Sequence, residues 1–287
     1  MGHEASGVVA KVGSGVSGWK TGDRVTFDST TYCGQCLYCD QGLVNLCENR
    51  QVIGVSCEEY RRHGAFAEKV VIPQLGICPI PDKVSFEQAA LAEPVSIALH
   101  AVNRLPVQGG ETAVVVGTGM IGLFLVQSLK AAGCSRVFAV DLAEDKLALA
   151  KELGADETLV PGQDDICSVV QDATEGEGAH FSVEAVGVTE TVGLAIEVLR
   201  KGGSTCLVGN LAQEVNFPLQ SVVTRELSVY GSCASAGEYP NALQAVAEGE
   251  IKVDPIISAV GDLKDGAAWF ARLADNREGL LKVVLRP

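Results

Sequence analysis

The chain has 287 residues, enough for a large core and for one large or two ordinary domains. With 47% hydrophobic and 20% charged residues it lies outside the disordered and coiled-coil ranges. A net charge of −14 argues against a nucleic-acid partner, which needs clustered Lys and Arg, and no basic, apolar and cleavage-site series marks a secretory signal.

Residues 1–94 are rich in Gly, Val and turn signals. Short runs at Gly7–Val12, Arg24–Phe27 and Ala67–Ile72 predict strands of an irregular all-β lobe. Within it Cys33, Cys36, Cys39 and Cys47 give C-x2-C-x2-C-x7-C, a spacing that fits one tetrahedral zinc with four thiolate ligands and no open position. Such a closed site is structural, because no ligand position is left for water or substrate. A disulfide pair, free thiols or an iron–sulfur cluster are the alternatives. The other cysteines (Cys57, Cys78, Cys134, Cys167, Cys206 and Cys233) are scattered through apolar segments and read as small core residues. Ten cysteines distributed in this way suit a reducing compartment, so the cytoplasm is expected.

Residues 95–232 alternate strand and helix. Predicted strands at Ala113–Val116, Val137–Val140, Ser182–Ala185, Ser204–Val208 and Leu227–Tyr230 are separated by helical segments such as Ile121–Ala132, Asp145–Leu153 and Thr191–Leu199. That alternation implies an α/β domain with a doubly wound parallel sheet and right-handed crossovers. The uncharged stretch Ala113–Leu129 approaches membrane-span length, but its three glycines and its Thr, Gln and Ser suit a strand, a tight turn and a buried helix instead, so no membrane is expected.

The first strand runs into Gly117-Thr118-Gly119-Met120-Ile121-Gly122, a G-x-G-x-x-G followed by a helix. The second strand ends at Asp141, about twenty residues further on, where the dinucleotide fingerprint wants an acid. Gly117 permits the turn, Gly119 lets backbone N–H groups approach a pyrophosphate, and Gly122 lets the helix pack closely. Asp141 is expected to accept from the adenosine ribose hydroxyls and, with Leu142 rather than an arginine beside it, to favour NAD over NADP. Val208-Gly209 ends another strand at the same carboxyl edge and is a further candidate for cofactor contact. Residues 233–287 carry a helix around Tyr239–Ala247 and a strand-like run at Lys282–Leu285, and are expected to return to the first lobe.

Taken together the chain resembles the zinc-containing medium-chain dehydrogenases. The resemblance rests on Gly2-His3-Glu4-Ala5-Ser6-Gly7 (G-H-E-x-x-G), Gly22-Asp23-Arg24-Val25 (G-D-R-V), the four-cysteine lobe and the Rossmann unit, in that order. It implies a GroES-like catalytic domain over 1–94 completed by 233–287, a Rossmann NAD-binding domain over 95–232, and a catalytic zinc in the cleft between them. His3 is then a zinc ligand and Glu4 lies beside the metal. Leu91-Ala92-Glu93-Pro94-Val95-Ser96 carries the E-P pair of the sorbitol, polyol and threonine dehydrogenase branch, which makes Glu93 the third metal-associated residue. His63, His100 and His180 read as solvated, packing and strand-opening residues.

The implied reaction is hydride transfer between a secondary alcohol and NAD, with a polyol or sugar alcohol as first choice of substrate and L-threonine as second. The same resemblance places one more zinc ligand, a cysteine, and a proton-relay hydroxyl upstream of the G-H-E signature. A chain beginning at Met1 is therefore expected to have an N-terminally incomplete catalytic domain, a weakly held catalytic zinc and little activity. Uncovered sheet edges would favour a homodimer or homotetramer. A truncated or pseudoenzyme NAD- and zinc-binding protein is the alternative.

Overall fold

The computed structural model describes residues 1–55, 61–275 and 278–287. Met1–Ser96 with Ala234–Pro287 form one compact unit, and Ile97–Cys233 form a second.

The first unit opens with β1 (Ser6–Val8), which pairs antiparallel with β2 (Arg24–Phe27). The Gly22-Asp23-Arg24-Val25 turn has a clear local role. Gly22 takes a positive φ of 96°, the Asp23 carboxylate accepts from Lys20 N at 2.8 Å, and the Arg24 guanidinium donates to Val84 O at 2.5 Å over the Phe86 ring. Three short strands follow: β3 (Thr30–Thr31), β4 (Gln51–Ile53) and β5 (Arg61–Arg62), hydrogen-bonded in that order. Between β3 and β4 lie helix α1 (Leu37–Asp40) and the cysteine loop. Strand β6 (Ile77–Pro79) closes on β2.

The expected strand at Ala67–Ile72 is not formed. Val71 is 92% exposed, so the apolar run has no buried face to hold it in a sheet. Two helices lead onward: α2 (Phe86–Ala90), started by a Ser85–Gln88 capping box, and α3 (Ala92–Asn103).

The second unit holds strands β7 (Thr112–Val116), β8 (Arg136–Val140), β9 (Glu157–Leu159), β10 (Ala179–Glu184), β11 (Leu199–Leu207) and β12 (Ser228–Gly231). They form one all-parallel sheet in the order β12-β11-β10-β7-β8-β9. Helices α4 (Met120–Ala131), α5 (Glu144–Glu152), α6 (Ile166–Asp172), α7 (Thr189–Glu197) and α8 (Leu219–Thr224) connect them. The chain order reverses between β7 and β10, which makes that edge the topological switch point of a doubly wound fold. β7 is buried at every position, as a central parallel strand must be. The stretch Ala113–Leu129 is thus strand, turn and helix, and no helix of the described residues is long and apolar enough to cross a membrane.

The tail returns to the first unit with α9 (Tyr239–Glu248), β13 (Ile257–Asp262), α10 (Gly266–Asp275) and β14 (Lys282–Arg286), the two strands pairing parallel. Cys134 and Cys206 are buried core thiols and Cys78 and Cys167 half-buried ones, as their apolar surroundings predict. Cys233 is instead exposed, because it lies beyond the end of edge strand β12. Cys57 lies outside the described residues.

Candidate functional site

The four cysteines of the loop converge. Their sulfurs all lie within 4.8 Å of one another, with Cys33 Sγ to Cys39 Sγ at 4.0 Å and Cys36 Sγ to Cys39 Sγ at 3.5 Å. Tetrahedral zinc with Zn–S bonds of about 2.3 Å needs sulfurs about 3.8 Å apart, so the donor set fits. All four are free thiols, which removes the disulfide alternative for this arrangement. Backbone N–H groups of Cys33 and Asn49 donate to Cys47 Sγ, each at 3.3 Å. The N–H groups of Cys39 and Glu48 pull the Cys36 thiol down to about 6, whereas burial first and the neighbouring thiols next push Cys39 up to about 11. The loop thus favours thiolate but cannot ionise every cysteine without a cation.

His3, Glu4 and Glu93 form a second cluster, their nearest ligand atoms also within 4.8 Å of one another. His3 Nε2 lies 3.8 Å from Glu4 Oε1 and 3.9 Å from Glu93 Oε1. Backbone crowding sets the position of His3. A Cβ on Gly54 would fall 1.9 Å from Gly2 O, and one on Gly64 would fall 2.2 Å from Met1 O. Ala65 N and Phe66 N then donate to Gly2 O and Met1 O, locking the segment that carries His3. Glu93 sits in the first turn of α3, its carbonyl accepting from Ser96 Oγ at 2.6 Å.

The electrostatics of this cluster are those of a site short of positive charge. Burial, reinforced by the charge of Glu4, raises the Glu93 carboxyl well above the usual range. Burial also lowers the His3 imidazole, which keeps it neutral and able to ligate. Lys282, on the last strand, donates to Glu4 Oε2. The sequence pattern marks Lys282 only as part of a strand and does not reveal this pairing. Asp28 is likewise raised to about 6, first by burial and then by Glu238, partly offset by its bond from Thr30 N.

In the second unit the Gly117–Gly122 turn sits at the switch-point edge. Gly117 has φ +93°, and a Cβ on Gly122 would lie 1.8 Å from Gly117 O, so the third glycine lets helix and turn touch. A Cβ on Gly119 would meet nothing within 4 Å, which leaves open space in front of the α4 N-terminus. Gly119 is the N-cap and offers no side-chain cap, so the N–H groups of Met120, Ile121 and Gly122 have no capping side chain to bind. That arrangement is a ready anion cradle.

Asp141 does something the spacing alone does not reveal. Its Oδ2 accepts from Thr118 N at 2.7 Å and its Oδ1 from Ala143 N at 3.0 Å, so the carboxylate braces the turn after β7 against the loop after β8. Two bonds leave lone pairs for a ligand hydroxyl. Val208 and Gly209 follow β11, their N–H groups donating to Glu184 O at 2.9 and 3.1 Å. His100 is buried in α3, His63 is exposed, and His180 is the second residue of β10, where its Nδ1 accepts from Thr112 N at 3.2 Å.

Residues 1–82 match the alcohol dehydrogenase GroES-like domain family, and residues 121–248 match the zinc-binding dehydrogenase family. The D-xylulose reductase A of Aspergillus oryzae is 32% identical over 275 residues, covering 94% of this chain and 76% of that protein. The L-idonate 5-dehydrogenase of Vitis vinifera is 33% identical over 263 residues, covering 90% of this chain and 70% of that one. A solved structure from Sinorhizobium meliloti 1021, assigned as a zinc-binding dehydrogenase and bound to NADP, superposes with a TM-score of 0.90 at 31% identity over 99% of this chain and 82% of its own. Fold, motif order and relatives agree: the chain is an oxidoreductase of the zinc-containing medium-chain alcohol and polyol dehydrogenase family, with a GroES-like unit and a Rossmann unit.

Proposed function

We propose that this chain carries out reversible, NAD-linked oxidation of a secondary hydroxyl of a polyol or sugar acid to the ketone, with His3, Glu4 and Glu93 as the metal-binding residues of the reaction centre. The observation that carries the reading is the convergence of Glu93, far along the chain, with the neighbouring His3 and Glu4 on one point. Ligand atoms around a zinc with bonds of about 2.1 Å sit about 3.4 Å apart, close to the 3.8 and 3.9 Å seen from His3. Zinc held there would supply Lewis-acid polarisation of a hydroxyl oxygen. Glu93 and the neutral His3 would bind the ion, and Lys282 holds Glu4 in place.

Residues 1–94 and 233–287 serve on this reading as the catalytic domain and 95–232 as the cofactor domain. Cys33, Cys36, Cys39 and Cys47 hold a separate zinc that shapes the loop. The Gly117–Gly122 turn, with Gly119 facing open space, takes the pyrophosphate on the α4 N-terminus, and Asp141 accepts from the adenosine ribose. The polyol preference over L-threonine is supported by the reductase and dehydrogenase relatives that act on D-xylulose and L-idonate. A homodimer or homotetramer is supported by the open outer edge of β12, where Val229 is 36% exposed. The free cysteines support a reducing compartment such as the cytoplasm.

Asp141 tests the cofactor assignment. Its charge repels a 2′-phosphate by roughly 4 kcal/mol at a separation of about 4 Å and an effective dielectric of about 20. Leu142, 76% exposed, has room for a longer cation. Asp141→Ser with Leu142→Arg is expected to shift the NADP/NAD affinity ratio towards NADP by at least about tenfold, read by fluorescence titration. It should also cost about 1–2 kcal/mol of stability, because serine is too short to bridge Thr118 N and Ala143 N. Equal binding of NAD and NADP by the unaltered protein would refute the role of Asp141.

A further inference from the structure

Glu184, the last residue of β10, is fully buried (0% exposed) in a position where a carboxylate is costly. Its Oε1 accepts from Val186 N at 2.9 Å and Gly187 N at 2.7 Å. Among the described residues its Oε2 has no hydrogen-bond partner. The backbone carbonyl of the same residue accepts from Val208 N and Gly209 N. Glu184 therefore ties together the loops that leave β10 and β11.

Those loops meet backbone to backbone. A Cβ on Gly187, which has φ +86°, would lie 2.3 Å from Asn210 N, and one on Gly209 would lie 2.3 Å from Val186 N. Ala212 N donates to Gly187 O at 2.9 Å. On the other side a Cβ on Gly117 would come 2.5 Å from the Val186 side chain. The turn after β7, the loop after β10 and the loop after β11 thus form one fixed surface along the carboxyl edge of the sheet.

Sheet order assigns a use to that surface. The pyrophosphate cradle is at the end of β7, and Asp141 is at the end of β8, on one side of it. A dinucleotide whose adenosine lies over β8 must extend its other half across β10 and β11, each strand adding about 4.8 Å. We infer that Glu184 is a positioning residue for the nicotinamide half of the cofactor: its buried carboxylate fixes Val186 and Gly187, against which Gly209 packs backbone to backbone, and these loops form the shelf on which that half rests. The inference relies on the cofactor reading above. A charged acceptor suits the task, since bonds to a carboxylate are stronger than bonds to a neutral carbonyl.

The test compares two ligands that share the adenosine and pyrophosphate, NADH and ADP, in equilibrium titrations of the full chain. Glu184→Ala is expected to weaken NADH binding about tenfold or more, the loss of two charge-assisted bonds. Binding of ADP, which lacks the second ribose and the nicotinamide, should change by less than about twofold. Glu184→Asp keeps the charge but retracts the oxygens, and should show the same selective loss to a smaller degree, which keeps the test open if the alanine variant does not fold. Glu184→Gln retains the accepting oxygen and should bind NADH within about threefold of the unaltered protein. Equal weakening of both ligands, or of neither, would overturn the positioning role while leaving the cofactor assignment intact. Failure of the unaltered protein to bind either ligand would instead overturn the cofactor assignment and the inference with it.

Discussion

Replacing Cys36 with Ser is expected to release the zinc of the four-cysteine loop and to unfold that loop locally. The sulfurs already stand at tetrahedral spacing, and backbone N–H groups favour thiolate at Cys36. A structural zinc with four thiolates contributes on the order of 10 kcal/mol of apparent binding energy at neutral pH. Three thiolates and a hydroxyl retain only part of that. The loop has little else to hold it: α1 buries none of its residues, and Cys47 and Asn45 are the buried members of the following turn. Plasma emission should find one fewer zinc per chain in the variant after dialysis against a mild chelator. Limited proteolysis should open new cleavages between Cys33 and Cys47. A variant that keeps its zinc through dialysis and resists protease as well as the unaltered protein would show that the loop stands without the metal.

Gly122→Ala should be among the most damaging single-methyl additions in the second unit. The new carbon would lie 1.8 Å from the Gly117 carbonyl oxygen and 2.8 Å from its carbonyl carbon, both rigid backbone. Relief requires either α4 or the turn to move, and α4 is packed through Leu123, Phe124, Leu125, Val126 and Leu129, all 0% exposed. We expect a loss of at least about 3 kcal/mol, at the high end of single substitutions, together with loss of NADH binding. Gly119→Ala provides the contrast. Its φ of −64° suits any residue and its Cβ meets nothing within 4 Å. That variant should melt like the unaltered protein and still bind the dinucleotide poorly, because the methyl group occupies the space left for the phosphates. If Gly122→Ala melts normally, or Gly119→Ala binds NADH normally, the glycine roles are wrongly assigned. Thermal melting and NADH titration read both.

The contrast between these glycines shows where sequence reading succeeds and where it stops. The G-x-G-x-x-G after a Val-rich strand locates the turn, and β7, β8 and α4 start and end within one or two residues of where periodicity puts them. These elements are long, buried and local. β11 begins at Leu199 rather than Ser204; its first part runs through Arg200, half-buried, and the exposed Lys201 and Gly202, so it lacks the apolar signal. β9 has three residues and α6 seven, too short for either period to register. β13 gives no warning of its parallel partner β14, about 25 residues away, because parallel pairing is set by tertiary contact.

The sites follow the same rule. The cysteine spacing is compact and readable without a structure. The convergence of His3 and Glu93 is non-local, and only the family pattern points to it. Nothing in the sequence predicts that Gly54 and Gly64 enclose the His3 segment, that Lys282 holds Glu4, or that Asp141 bonds Thr118 and Ala143.

The reaction itself tests the proposed chemistry most directly. Zinc-supplemented protein should be incubated with NAD and a series of polyols and sugar acids, with L-threonine and ethanol alongside, while absorbance at about 340 nm is followed for the transferred hydride. Slow NADH formation is expected, in keeping with a centre that brings together His3, Glu4 and Glu93; it should depend on a secondary-hydroxyl polyol, exceed the threonine and ethanol rates, and disappear in Glu93→Ala while that variant still binds NADH. A chain that binds NADH but forms none with any polyol, or whose rate survives Glu93→Ala, would contradict the proposed chemistry.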